Sequence, residues 1–128
     1  MANKHRGEIE VKLAGKTWTI RPAFQALAEI EGITGLGIAA VVRRFTKGEF
    51  GIDDVAAVIA AGIRAAHDDA PDFESVKRAI VEEGFNKFAV VASEFLAGAL
   101  AGGASGRIGG QAKKASPSGN KSRSPGGA

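Results

Sequence analysis

The chain has 128 residues, no cysteine, seven Phe, one Trp and a formal net charge of +3; that length suits one small domain, and the missing cysteines exclude disulfide staples and thiolate zinc sites and fit a reducing compartment. The charge is uneven: residues 103–128 carry Arg107, Lys113, Lys114, Lys121 and Arg123 and nothing acidic, which leaves 12 Lys+Arg against 14 Asp+Glu, or −2, in residues 1–102. A domain of 1–102 followed by a basic Gly/Ser/Pro-rich tail of 103–128 is therefore expected, and the basic balance does not mark the domain as a nucleic-acid reader.

The polar start, Met1 to Glu8, has no apolar run behind it, so no secretory signal is expected. Glu8 to Leu13 then alternates, with Ile9, Val11 and Leu13 on one face and charges on the other, the pattern of a half-buried strand. Ala14-Gly15 supplies a turn, and Lys16 to Arg21 alternates again with Trp18 and Ile20 inward, which predicts a β-hairpin. Two strands are not stable alone, so the hairpin must lie on helices or pair with another chain.

Pro22 suits a helix start. Phe24, Leu27, Ala28 and Ile30 follow at near-helical spacing until Gly32. A second helix is predicted over Leu36 to Thr46, with Ile38, Val41, Val42 and Phe45 inward and Arg43, Arg44 and Lys47 facing water. Phe50 is expected to tuck under the turn at Lys47 to Gly51. Asp53 and Asp54 open a third helix at the positive end of its dipole, with Val55, Val58, Ile59, Gly62 and Ile63 as its stripe. His67 to Pro71 breaks it. Asp72 caps a fourth helix carrying Phe73, Val76, Ile80 and Val81, and Gly84 ends that one. A fifth helix holds Phe85, Phe88, Val91, Ala92, Phe95, Leu96 and Ala99. Ser93, Glu94 and several glycines interrupt the weakly polar stretch from Phe88 to Ala104, which argues against a membrane span. Beyond it the tail buries too little to offset chain entropy and is expected to be disordered. The fold class is thus α+β: an N-terminal hairpin packed on four to five helices.

No residue pattern converges on a reaction. Glu29 and Glu31 lie two apart on a helix and point apart. Asp53-Asp54 reads as a helix start. His67, Asp68, Asp69 and Asp72 contain metal-ligand types, but a solvated loop explains them better. Ser75 and Ser93 have no histidine at useful spacing. Gly32 to Gly37 lacks the order of a dinucleotide fingerprint or a P-loop. Arg43, Arg44 and Lys47 form a basic cluster best read as a solvated helix face. The tail has no aromatic residue on which bases would stack. No enzymatic activity, metal or cofactor is expected. The hairpin edges and the Ala/Gly/Leu face of the last helix are the candidates for partner docking or self-association.

The order of features resembles a known family. The polar start and hairpin ending Trp18-Thr19-Ile20-Arg21 lead straight into the helix Phe24-Gln25-Ala26-Leu27-Ala28-Glu29-Ile30-Glu31. Gly48-Glu49-Phe50, Asp53-Asp54-Val55, Ala61-Gly62-Ile63-Arg64 and Glu82-Glu83-Gly84 follow. Residues 3 to 100 in this order are similar to the small gene-transfer-agent family of phage tail proteins, grouped with tail assembly chaperones. The resemblance implies a non-enzymatic protein of the bacterial cytoplasm, in some cases particle-associated, that binds the tape-measure protein and tail tube protein during tail morphogenesis. On that footing Phe24, Leu27 and Ile30 are core, and Glu29, Glu31, Arg43 and Arg44 are the candidate partner-binding positions. Two alternatives stand beside it: a tube or junction subunit retained in the tail, and a small DNA-associated protein using the basic tail.

Overall fold

The computed structural model describes residues 7–101. The expected tail lies outside them. Two strands, β1 (Ile9–Leu13) and β2 (Lys16–Ile20), precede five helices: α1 (Phe24–Thr34), α2 (Ile38–Lys47), α3 (Ile52–Ala66), α4 (Phe73–Glu83) and α5 (Phe85–Leu100). The α+β architecture read from the sequence is the one observed.

The strands pair antiparallel with Ile9 opposite Ile20, Val11 opposite Trp18 and Leu13 opposite Lys16. Both turn residues have positive φ, 53° at Ala14 and 78° at Gly15, the arrangement whose twist matches a two-residue hairpin. Val11, Leu13, Trp18 and Ile20 face the core as the alternation requires.

The core is built around α3. Its sequence is apolar on all sides, and such a helix is stable only when enclosed. Every residue from Asp54 to Ile63 is buried. The helices α1, α4 and α5 and strand β2 pack around it, while α2 lies against α1 and α5. Ala56, Ala57, Ala60, Ala61 and Gly62 keep its surface low, so neighbours approach closely. The nearest approach is at Gly62, whose carbonyl accepts a hydrogen bond from Arg21 N–H at 3.1 Å where β2 ends. Phe88, Phe95 and Leu96 of α5 and Val76 and Ile80 of α4 complete the interior.

Several expectations shift. α2 starts at Ile38, two residues later than predicted, because Gly37 is extended (φ −68°, ψ 155°) and the Glu31 carboxylate accepts from Ile38 N–H at 2.8 Å. Phe24, expected in the core, is 82% exposed. The inward stripe of α1 is Ala26, Leu27 and Ile30, and Phe24 lies about 200° around from Ala26. Val81 is likewise exposed, one step off the Val76–Ile80 stripe of α4. Phe50 does tuck in, stacked on Phe45 at 4.6 Å between ring centres and near Phe85 at 5.9 Å.

Candidate interaction surface

Three of the four candidate partner-binding side chains tie this fold together. The Glu29 carboxylate on α1 accepts from Arg64 Nε on α3 at 2.7 Å. Glu31 caps α2, as described. Arg44 Nη2 donates to Asp54 Oδ2 at 2.8 Å, and the same oxygen accepts Gly51 N–H at 2.7 Å. Asp54 thus closes the first turn of α3 and anchors α2 to it, with Arg44 Nε left buried and without an acceptor. Arg43 alone stands exposed with no hydrogen bond or ion pair among the described residues. The four are not gathered at one place.

The loop after α3 holds the hairpin to the helices. His67 Nε2 accepts the Thr19 N–H at 3.1 Å, and its ring meets Trp18 edge-on at 5.0 Å. Lys16 Nζ sits 4.1 Å over the Trp18 ring and bonds Asp69 Oδ2 at 3.2 Å. The Lys16 hydrogen bond and charge hold the Asp69 carboxyl below its ordinary range. At the hairpin tip, Glu83 Oε2 accepts Ala14 N–H at 2.8 Å. On the other side Arg21 Nε donates to the buried Glu8 carboxylate at 2.8 Å. The outward amides of Thr19 on β2 and of Arg21 just past its end are therefore occupied by His67 and Gly62, so a further strand cannot hydrogen-bond to them.

Two concave features among the described residues bear on contact. An open cleft of about 510 Å³ is lined by Ile33, Thr34, Arg44, Gly51, Ile52, Asp53, Asp54 and Lys77. Its charges are matched within the chain: Arg44 with Asp54, and Lys77 Nζ with Asp53 Oδ1 at 2.8 Å, a hydrogen bond that raises the Lys77 pKa. A smaller groove of about 260 Å³ runs between α2 and α5, lined by Val42, Phe45, Thr46, Ser93, Leu96 and Ala97. Exposed apolar side chains border it on α5, with Val90 59% and Leu100 49% accessible. Val90 was absent from the predicted stripe of α5, and its offset of two residues from both Phe88 and Ala92 is the signal that places it outside. Among the described residues no group of three His, Cys, Asp or Glu side chains is placed to hold a metal ion. Nor is any single helix there long and apolar enough to cross a membrane.

The arrangement is therefore one of surfaces: paired charges that fix the fold, and a small number of unpaired charged and apolar side chains around the α2/α5 groove. No curated protein and no solved structure matches the chain. A family model described as phage tail tube protein, GTA-gp10, matches residues 6–102, which span the whole described domain. By that match, which also bears out the resemblance to gene-transfer-agent tail proteins, the chain belongs to the GTA-gp10 family of phage tail tube proteins.

Proposed function

We propose that this protein is a non-enzymatic structural component of a phage-type tail, a tube or junction subunit retained in the particle. The observation that carries this reading is the family match across residues 6–102, whose description is a tail tube protein. It supports the retained subunit, earlier the alternative, more than the chaperone that escorts a tape-measure protein. Particle association then accompanies synthesis in the bacterial cytoplasm, and the partners are the neighbouring tail proteins.

The fold constrains how such a subunit makes contact. Its sheet has two five-residue strands, and the outward amides of Thr19 on β2 and of Arg21 just past it are already bonded within the chain. Helix faces are left as the main contact surfaces, and the exposed Phe24, Val90 and Leu100 lie on helices α1 and α5. Multivalent repetition of modest contacts is enough to hold a subunit in a tail.

Quantitative mass spectrometry of purified particles tests the reading. The expected result is this chain in many copies per particle, in fixed ratio to the other tail components. Its absence from particles, with recovery only in lysates bound to unassembled tail proteins, would instead support the chaperone.

A further inference from the structure

The face shared by α2 and α5 is mostly apolar in the middle, where the uncharged hydroxyls of Thr46 and Ser93 join the apolar side chains, and oppositely charged at its borders. Moving outward from the groove along α2, helical periodicity places Val42 first, then Thr46, then Arg43 with Lys47 one turn on. Moving outward along α5 it places Leu96, then Ser93, then Ala97 and Val90, then Glu94. Arg43, Lys47 and Glu94 are exposed, and none has a hydrogen bond or ion pair among the described residues. Their situation differs from that of Glu29, Arg44 and Lys77, whose charges are matched internally.

We infer that this face joins one copy of the chain to a second, about a two-fold axis running along the groove, with Glu94 of each copy against Arg43 and Lys47 of the other. Charge complementarity selects this pairing. A rotation about an axis along the groove exchanges the two borders, so base meets acid on both sides while the apolar middle meets itself. A partner carrying one sign of charge would satisfy one border and be repelled at the other. A two-fold axis across the groove would set Arg43 against Arg43 and is disfavoured for the same reason. The borders are solvated, so they fix orientation more than they add affinity, and the association is expected to be weak and salt-sensitive. The inference goes beyond the tail-component reading and does not depend on it, since a two-fold contact is closed by its second copy and joins pairs without extending along a tail.

Analytical ultracentrifugation of the full chain, from micromolar to near-millimolar concentration and at low and high salt, tests it. The wild type is expected to form dimers that weaken with salt. The double variant Arg43→Glu with Lys47→Glu sets acid against acid, and Glu94→Arg sets base against base. Each is expected to self-associate about tenfold more weakly than wild type or worse. Their equimolar mixture restores base against acid at both borders and is expected to dimerise as the wild type does. Val90→Asp, at an exposed position, puts a charge in the apolar middle and is expected to abolish the dimer. Circular dichroism melts that match the wild type show that the variants fold. A wild type that stays monomeric throughout, or a mixture no tighter than its parts, overturns the inference. A monomeric chain still abundant in particles would sink this surface and leave the tail-component reading intact. A dimeric chain missing from particles would do the opposite.

Discussion

Gly62 has no room for a methyl group. A Cβ built there would sit 2.7 Å from Ile20 Cβ and 3.1 Å from Phe95 Cε1, between β2 and α5. Neither neighbour is the free end of a flexible chain, since both Ile20 and Phe95 are fully buried. Gly62→Ala gains about 1 kcal/mol of helix propensity but meets overpacking of about 1–3 kcal/mol or more. Net destabilisation is expected, read as a lower urea midpoint with an unchanged slope; an equal or higher midpoint would show that the hairpin shifts away freely. Ala14 is the opposite case. Its φ of 53° is a left-handed conformation that costs an L-residue about 1–2 kcal/mol. Asn tolerates that region and precedes Gly15 as the preferred hairpin pair. Ala14→Asn is expected to stabilise by about 0.5–1 kcal/mol in the same titration, because the backbone N–H that bonds Glu83 is untouched. No change would mean that the turn is not strained. The sequence marked Gly15 for the turn and Gly62 for the stripe, but neither the second positive φ nor the crossing strand was visible, because both depend on what packs above them.

The helix α4 begins at an Asp72 carboxylate that accepts the Ser75 N–H at 2.8 Å. That bond holds the Asp72 carboxyl below its ordinary value of 3.8, and the Lys16 hydrogen bond does the same for Asp69. A carboxyl with a lowered folded pKa binds fewer protons in the folded state than in the unfolded chain. Its contribution is therefore complete above the unfolded value and is lost as pH falls through the folded one. Lys77, raised above 10.5 chiefly by its hydrogen bond to Asp53, contributes below that value and loses its share as pH rises through the folded pKa. Stability is expected to be level near neutrality, to drop below 3.8 and to drop again above 10.5. Asp72→Asn keeps a capping oxygen but removes the titration, so it should hold near-neutral stability and flatten part of the acid limb. Asp72→Ala should lower the neutral plateau as well. Identical acid limbs for all three proteins would remove Asp72 from the account. Capping and alternation are local, which is why the hairpin, the Asp53-Asp54 start and the Asp72 cap were legible. The start of α2 was less so, because Glu31 caps it from seven residues upstream. Phe24 was misplaced for a related reason: an aromatic at a helix start reads as core, and only the packing of α1 on α3 shows which side is covered.

At the scale of the molecule, the contacts between distant elements were the least legible. The paired charges could not be foreseen, because Arg64 meets Glu29 across 35 positions of sequence. The family resemblance was legible because it rests on the order of local features. The division of charge was legible outright and has a consequence. Residues 103–128 hold a single large apolar side chain, Ile108, among Gly, Ala, Ser, Pro and Lys, so they have little to add to a core. Truncation after Gly102 is therefore expected to leave the urea midpoint within about 0.5 kcal/mol of the full chain. It should also turn a net charge of +3 into −2, because it deletes five cations and no anion. The full chain should then bind a cation exchanger at neutral pH and the truncated one an anion exchanger. Any affinity for DNA should vanish with the tail, since the tail carries cations with no anion among them to exchange for condensed counterions. In the full chain that affinity should fall steeply with salt, with a slope no larger than about −0.9 for each of the five tail cations. DNA binding that survives truncation would place the contact on the acidic domain itself, where cations such as Arg43 and Lys47 stand unpaired among the described residues, and would set nucleic acid against a second copy for the same border of the α2/α5 face.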